Sequence, residues 1–184
     1  MVDDLHSFTT RVSYVYNDGG KLKSTSAEFL NSPNVNAENL FGFDVRGGGL
    51  FTGGVFLFLK ESSYFFGNDE LFEFSFETTQ KSSCISYTTI ANYFLSIRFC
   101  RDAFFNEISL TNGTRVADYV DGDNNRYVCR KIYNRVWMCE NLMTQSYHDG
   151  TPIPTNKVRA YDDDFTNAWT ETILTTQNLF GVIS

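Results

Sequence analysis

Strand-sized apolar runs recur along this chain, interrupted at short intervals by glycine, asparagine and aspartate, which predicts several short strands. In residues 71–77, LFEFSFE, Phe72, Phe74 and Phe76 take one face and Leu71, Glu73, Ser75 and Glu77 the other, so one face of that strand is core. Further strands are expected at 63–66 and 93–99. Residues 42–59, GFDVRGGGLFTGGVFLFL, mix glycines with strand residues. The GGGLFTGG run lacks the GK[ST] ending of a phosphate loop, so its glycines read as turns and bulges. A meander follows: Tyr119 and Val120 enter a hairpin, 121–125 turn, 127–132 leave, and Tyr133 with Asn134 turn again into 136–138. Helical spacing is confined to the two ends. Leu5, Phe8, Val12 and Val15 predict a helix over 3–16, capped by Asp3 or Asp4 and stopped by NDGG, and 167–174 is moderately helical. Residues 21–39, rich in Asn and Ser around Pro33, read as a long ordered loop.

Composition narrows the class. A chain of 184 residues can bury one sizeable core, and 16% aromatics, with 18 Phe and 10 Tyr, fit a strand-rich globular domain. A net charge of -7 repels phosphate backbones and disfavours nucleic acid as a partner. MVDDLHSFTTRV carries acids where a signal peptide needs cations and has no apolar stretch behind them, so export by that route is not expected. The longest apolar runs, 55–59 and 93–95, are strand-sized, so no membrane span is expected. Cys84, Cys100, Cys129 and Cys139 stand singly without a CxxC pair, which disfavours zinc and predicts buried thiols.

Little in the sequence has catalytic grammar. In WMCENL, Trp137 and Met138 are core candidates, and Glu140 and Asn141 are placed to cap or bridge backbone groups, with no base or nucleophile beside them. His148 and Asp149 read as the start of a turn, and His6 stands alone. Asp121, Asp123 and Asn125 alternate like calcium ligands, but Arg126 occupies the glycine position of an EF-hand loop and the distal Glu is missing. A hairpin turn explains them better. Calcium is the one ion the residues leave open, and no other cofactor is expected. Asp162, Asp163 and Asp164 read as a solvated acidic loop.

The run DGDNNRYVCRKIYNRVWMCENLMTQSYHDGTPIPTNK, followed by NAW, resembles the opening half of the Fibrobacter succinogenes major paralogous domain, with its DGN hairpin, K-I-G-x-Q-x-W-M-x-E-N-L strand and Y-x-D-G-T-P-I-P loop. GGKLKSTSAEFLNSPNVNAENLFGFDVRGGGLFTGGVFLFLKESSYFFGNDE and FLSIRFCRD resemble the closing half of the same family. The halves stand in swapped order, as in a circular permutation. Residues 1–102 match the closing half, 103–115 join, and 116–184 match the opening half, all within one domain over 1–184. The resemblance implies an α+β, C-type-lectin-like and formylglycine-enzyme-like fold of twisted antiparallel strands, long ordered loops and one or two short helices. It marks Trp137, Glu140, Asn141, Asp149, Gly150, Pro152 and Pro154 as its structural signature. The family's middle stretch, a Y-N-W segment leading to G-W-H-V-P, has no counterpart in this sequence. A neighbouring copy or another surface protein is the natural donor, so a homo-oligomer or larger assembly is expected.

The expected function is therefore a non-enzymatic structural and binding module. SSYFFGNDE and SCISYTTIANYF place aromatics beside Ser and Asn, a composition that serves recognition, so Tyr64, Phe66, Asn68, Asp69, Tyr87 and Asn92 are the candidate ligand-binding residues for a cell-surface glycan or protein. Family members belong to exported surface proteins of Bacteroidetes-type bacteria. A permuted chain without an export signal better suits the surface of a virion, as a decoration or fibre component of a phage infecting such hosts. A bacterial cell-surface adhesin is the alternative. A formylglycine-enzyme-like oxidoreductase would need Cys84 and Cys100 to meet beside a substrate groove.

Overall fold

The structure is a computed structural model, and it describes residues 18–66, 72–78, 83–87, 94–154, 158–161 and 166–169. After a 3-10 turn at Asp18–Lys21, the elements run β1 (Leu50–Thr52), β2 (Val55–Leu57), β3 (Ser62–Phe66), β4 (Phe72–Glu77), β5 (Ser83–Tyr87), β6 (Cys100–Asp102), α1 (Phe105–Ile108), β7 (Tyr119–Val120), β8 (Arg126–Tyr127), β9 (Cys129–Ile132), β10 (Arg135–Met138), β11 (Val158–Tyr161) and β12 (Thr166–Trp169). They form small antiparallel sheets: β3-β4-β5, β6-β10-β9 and the pairs β1-β2, β7-β8 and β11-β12. Helix is confined, among the described residues, to the single turn of α1 and the opening 3-10 turn. No described helix is long and apolar enough to cross a membrane.

β10 organises the centre. It lies between β6, which precedes the joining segment, and β9, which follows it, with Trp137 opposite both Cys100 and Arg130. The joining segment then crosses to the outer edge of β9. Gly113 N–H donates to Lys131 O at 2.8 Å, Lys131 N–H to Thr114 O at 2.9 Å and Val116 N–H to Cys129 O at 3.0 Å. One apolar cluster collects Leu95, Ile97, Tyr127, Cys129, Val136, Met138, Leu142 and Ile153; another packs Trp137 and Ile132 against Leu22, Phe43, Val45 and Phe65. The long loop before β1 is thus held by its own buried residues, with Leu22, Lys23, Ser24 and Leu30 all at most 2% exposed.

Several sequence expectations give way. Within the predicted helix at 167–174, residues up to Trp169 belong to β12, which pairs along its length with Val158–Tyr161; Thr166 and Trp169 favour a pleated backbone, and a partner strand outweighs a short, weakly periodic helical pattern. Residues 170–174, the predicted helix at 3–16, His6 and the acidic loop at 162–164 lie outside the described residues. Ser83–Tyr87, within the candidate recognition stretch SCISYTTIANYF, is a strand paired to β4. Of the strand expected at 93–99, the described residues 94–99 hold single bridges, Phe94 to Phe51 and Ser96 to Phe65, because the neighbours change along the segment. The joining segment, expected as a loop, contains α1.

Candidate binding groove

A concavity among the described residues begins with a turn that closes on itself. After β2 the chain doubles back: Glu61 and Ser62 donate their N–H groups to Phe58 O at 3.0 and 2.9 Å. Phe58 and Lys60 consequently sit at φ 59, in the left-handed region where a side chain costs about 1 kcal/mol or more. Gly47 makes this tight turn possible. A Cβ there would stand 2.5 Å from Lys60 Cα, whereas glycine lets the backbones meet and form the 2.7 Å bond from Lys60 N–H to Gly47 O. The neighbouring loop is stitched on by Asn31 N–H to Lys60 O and Val35 N–H to Thr78 O, and β4 by Thr78 N–H to Glu61 O, each at 2.8 Å.

These elements enclose a groove of about 460 Å³ lined by Asn31, Ser32, Pro33, Phe58, Glu61, Ser62, Tyr64 and Thr78. That volume lies in the range of about 300–1,000 Å³ that takes small molecules. Phe58 is 46% exposed although it is a large aromatic in an unfavourable backbone conformation, and its ring lies 6.1 Å from that of Tyr64 in a tilted pair. Tyr64 packs against the larger apolar cluster, so the aromatic floor rests on the core.

The sequence signature lies elsewhere and does other work. Arg98, 2% exposed, donates from Nε to Asn141 Oδ1 at 2.7 Å, from Nη2 to Asp44 O at 2.8 Å and from Nη1 to Phe43 O, while its guanidinium lies 4.8 Å from the Phe43 ring centre. Burial lowers its pKa to about 10. Asn141 also donates to Ser96 Oγ at 3.1 Å. Trp137 meets Phe43 edge to face at 5.8 Å. Glu140 accepts Val128 N–H at 2.8 Å, where the chain breaks between β8 and β9, and lies 3.8 Å from Arg46. Asp149 accepts the N–H and hydroxyl of Thr151 beside Gly150, which sits at φ 81; His148 is exposed in the same turn. Pro152 bridges to Ser146, and Pro154 is exposed.

The calcium candidates are spent on the chain itself. Asp121 accepts hydrogen bonds from Asp123 N–H, Asn125 N–H, Asn125 Nδ2 and, at 2.7 Å, the hydroxyl of Tyr127. Asp123 accepts from the hydroxyls of Thr144 and Ser146 and the N–H groups of Gln145 and Ser146, a set that lowers its pKa to about 2. Buried Tyr127 in turn accepts Met143 N–H at 2.9 Å, so the hairpin tip and the loop after β10 form one polar unit. Burial raises the thiol of Cys139 to about 12 and that of Cys129 above its ordinary value. Cys100 is half-buried and accepts from Arg135 Nη1 at 3.4 Å.

Of the six residues expected to bind ligand, the structure places Tyr64 in the groove. Phe66 ends β3 and Tyr87 ends β5; Asn68, Asp69 and Asn92 lie outside the described residues. Phe58, Glu61 and Asn31 were missed. Phe58 lies inside the apolar run at 55–59 and reads there as one more strand residue; the polar Lys60-Glu61 step after that run was the available sign of a turn. Neither protein-family models, nor curated proteins, nor solved structures give a match to this chain.

Proposed function

We propose that this protein is a non-enzymatic binding module of C-type-lectin-like type, displayed on a virion surface, that takes a cell-surface ligand in the groove between the 31–33 loop and the 58–62 turn. One observation carries the reading: Phe58 is held half-exposed, against its backbone preference, over Tyr64 at the floor of a 460 Å³ groove. Strain of that kind persists where the surroundings enforce it, and here they do so through a turn bonded on three sides. The non-enzymatic part is supported by where the reactive groups go: the thiols of Cys129 and Cys139 are buried with raised pKa values, and the Asp121 and Asp123 carboxylates are engaged by the fold.

The test is retention of the purified chain on intact bacterial cells, comparing wild type with Phe58→Gly. Glycine suits φ 59, so the relieved strain offsets the lost contact and unfolding free energy should change by less than about 1 kcal/mol, while retention is lost. Equal retention by both would sink the groove as the site. Immunogold labelling of purified virions against cell envelopes separates the virion placement from a bacterial adhesin.

A further inference from the structure

Resting on that reading, we propose that the groove is a saccharide site that works without a metal ion, and that its ligand is a neutral or amino sugar. The choice follows from what the groove has left to offer. The N–H groups of Asn31, Val35, Lys60, Glu61, Ser62 and Thr78 already donate to carbonyls of the chain, and Ser62 O and Tyr64 O accept from Gly49 and Ser96. An extended peptide that docks by adding a strand needs a run of free backbone groups along an edge, and the N–H groups at 60–62 and 78 are engaged within the fold. Recognition there falls to side chains.

Those side chains are a mixed set: the Phe58 and Tyr64 rings, the Asn31 amide, the hydroxyl of exposed Ser32 and the Glu61 carboxylate, while Ser62 and Thr78 are buried. A pyranose matches this set. Its C–H face covers an aromatic ring, and its hydroxyls both donate and accept, so a carboxylate, an amide and a hydroxyl can all be satisfied at once. Glu61 is the single carboxylate among the described lining residues, which repels an anionic sugar and favours a neutral or cationic one. A lone carboxylate also offers calcium little of the negative charge its sites supply, and the acidic hairpin at Asp121 and Asp123 has its oxygens engaged within the fold.

Saturation-transfer NMR on the full chain in EDTA, using the methyl glycosides of glucose, galactose, mannose, N-acetylglucosamine and glucosamine with sialic acid as the anionic comparator, tests this directly. We expect at least one neutral or amino sugar to receive saturation, sialic acid to receive none, and Phe58→Gly to weaken binding by about tenfold or more. Glu61→Gln, on an exposed side chain, should weaken it about threefold without touching the core. Saturation of none of the probes, saturation only when calcium replaces EDTA, or binding unchanged in Phe58→Gly overturns the proposal. Cell retention keeps the two readings apart. If Phe58→Gly abolishes retention, yet retention of the wild type survives periodate treatment of the cells and is destroyed by protease, the saccharide is wrong and the groove's binding role stands. Retention unaffected by Phe58→Gly overturns both.

Discussion

Arg98 is the side chain on which most of the interior depends. Its guanidinium serves three acceptors, two of them on buried Phe43 and Asn141, and it ties the segment at 43–44 to Asn141 across the core. Arg98→Met keeps the bulk but orphans those acceptors, and chemical denaturation should show a loss of about 3–5 kcal/mol. Paired with Asn141→Ala in a double-mutant cycle, the coupling should exceed about 1 kcal/mol; additive losses would mean that the two do not act together. Asp123 makes a separate, pH-dependent contribution. Its folded pKa of about 2 lies below its ordinary value, so its stabilisation is complete above about pH 4 and fades as the pH falls toward 2. Solvent screening at this exposed carboxylate holds the effect to about 1 kcal/mol. Melting curves between pH 5 and 2.5 should fall more steeply for wild type than for Asp123→Asn. At this scale the sequence was uneven. Trp137 announces a core position by its setting, whereas Arg98, between Ile97 and Phe99, looks like any outward charge on a strand, because its acceptors lie about 43 to 55 residues away.

Among the elements, α1 shows what a single helical turn needs to exist. Four residues cannot sustain a helix alone. Here Glu107, 8% exposed, accepts Phe104 N–H at 2.8 Å and receives Arg101 in two bonds of 2.7 and 2.8 Å, and the Arg101 guanidinium lies 4.0 Å from the Phe104 ring centre. The paired guanidinium holds the Glu107 carboxyl below its usual range. Glu107→Ala should cost about 2 kcal/mol and speed amide exchange across the turn. Phe105, 94% exposed on the same turn, should by contrast accept Phe105→Ser with a change below about 0.5 kcal/mol. If that substitution were strongly destabilising, the turn would be held by apolar packing instead of the ion pair. Strands β3, β4, β9 and β10 were legible because alternation and turn residues agree there. α1 and β12 were not, since each depends on a partner outside its own pattern of apolar and polar residues: an arginine on β6 for one, the Val158–Tyr161 strand for the other.

For the whole molecule, the decisive feature is that β10 sits between strands drawn from either side of the joining segment. Sequence patterns show the strands but not this order, which belongs to distances no local rule can see. A chain ending at residue 115 would keep β6 and lose both of the strands it is organised around, and should show no cooperative melting by circular dichroism. The same arrangement sets a timetable for synthesis. As the polypeptide leaves the ribosome, Phe43, Phe65 and Leu95 emerge before part of the surface they finally bury against, which comes with Trp137 and Met138. Until then part of its apolar surface stays open to solvent, and the central sheet closes only once β10 is released.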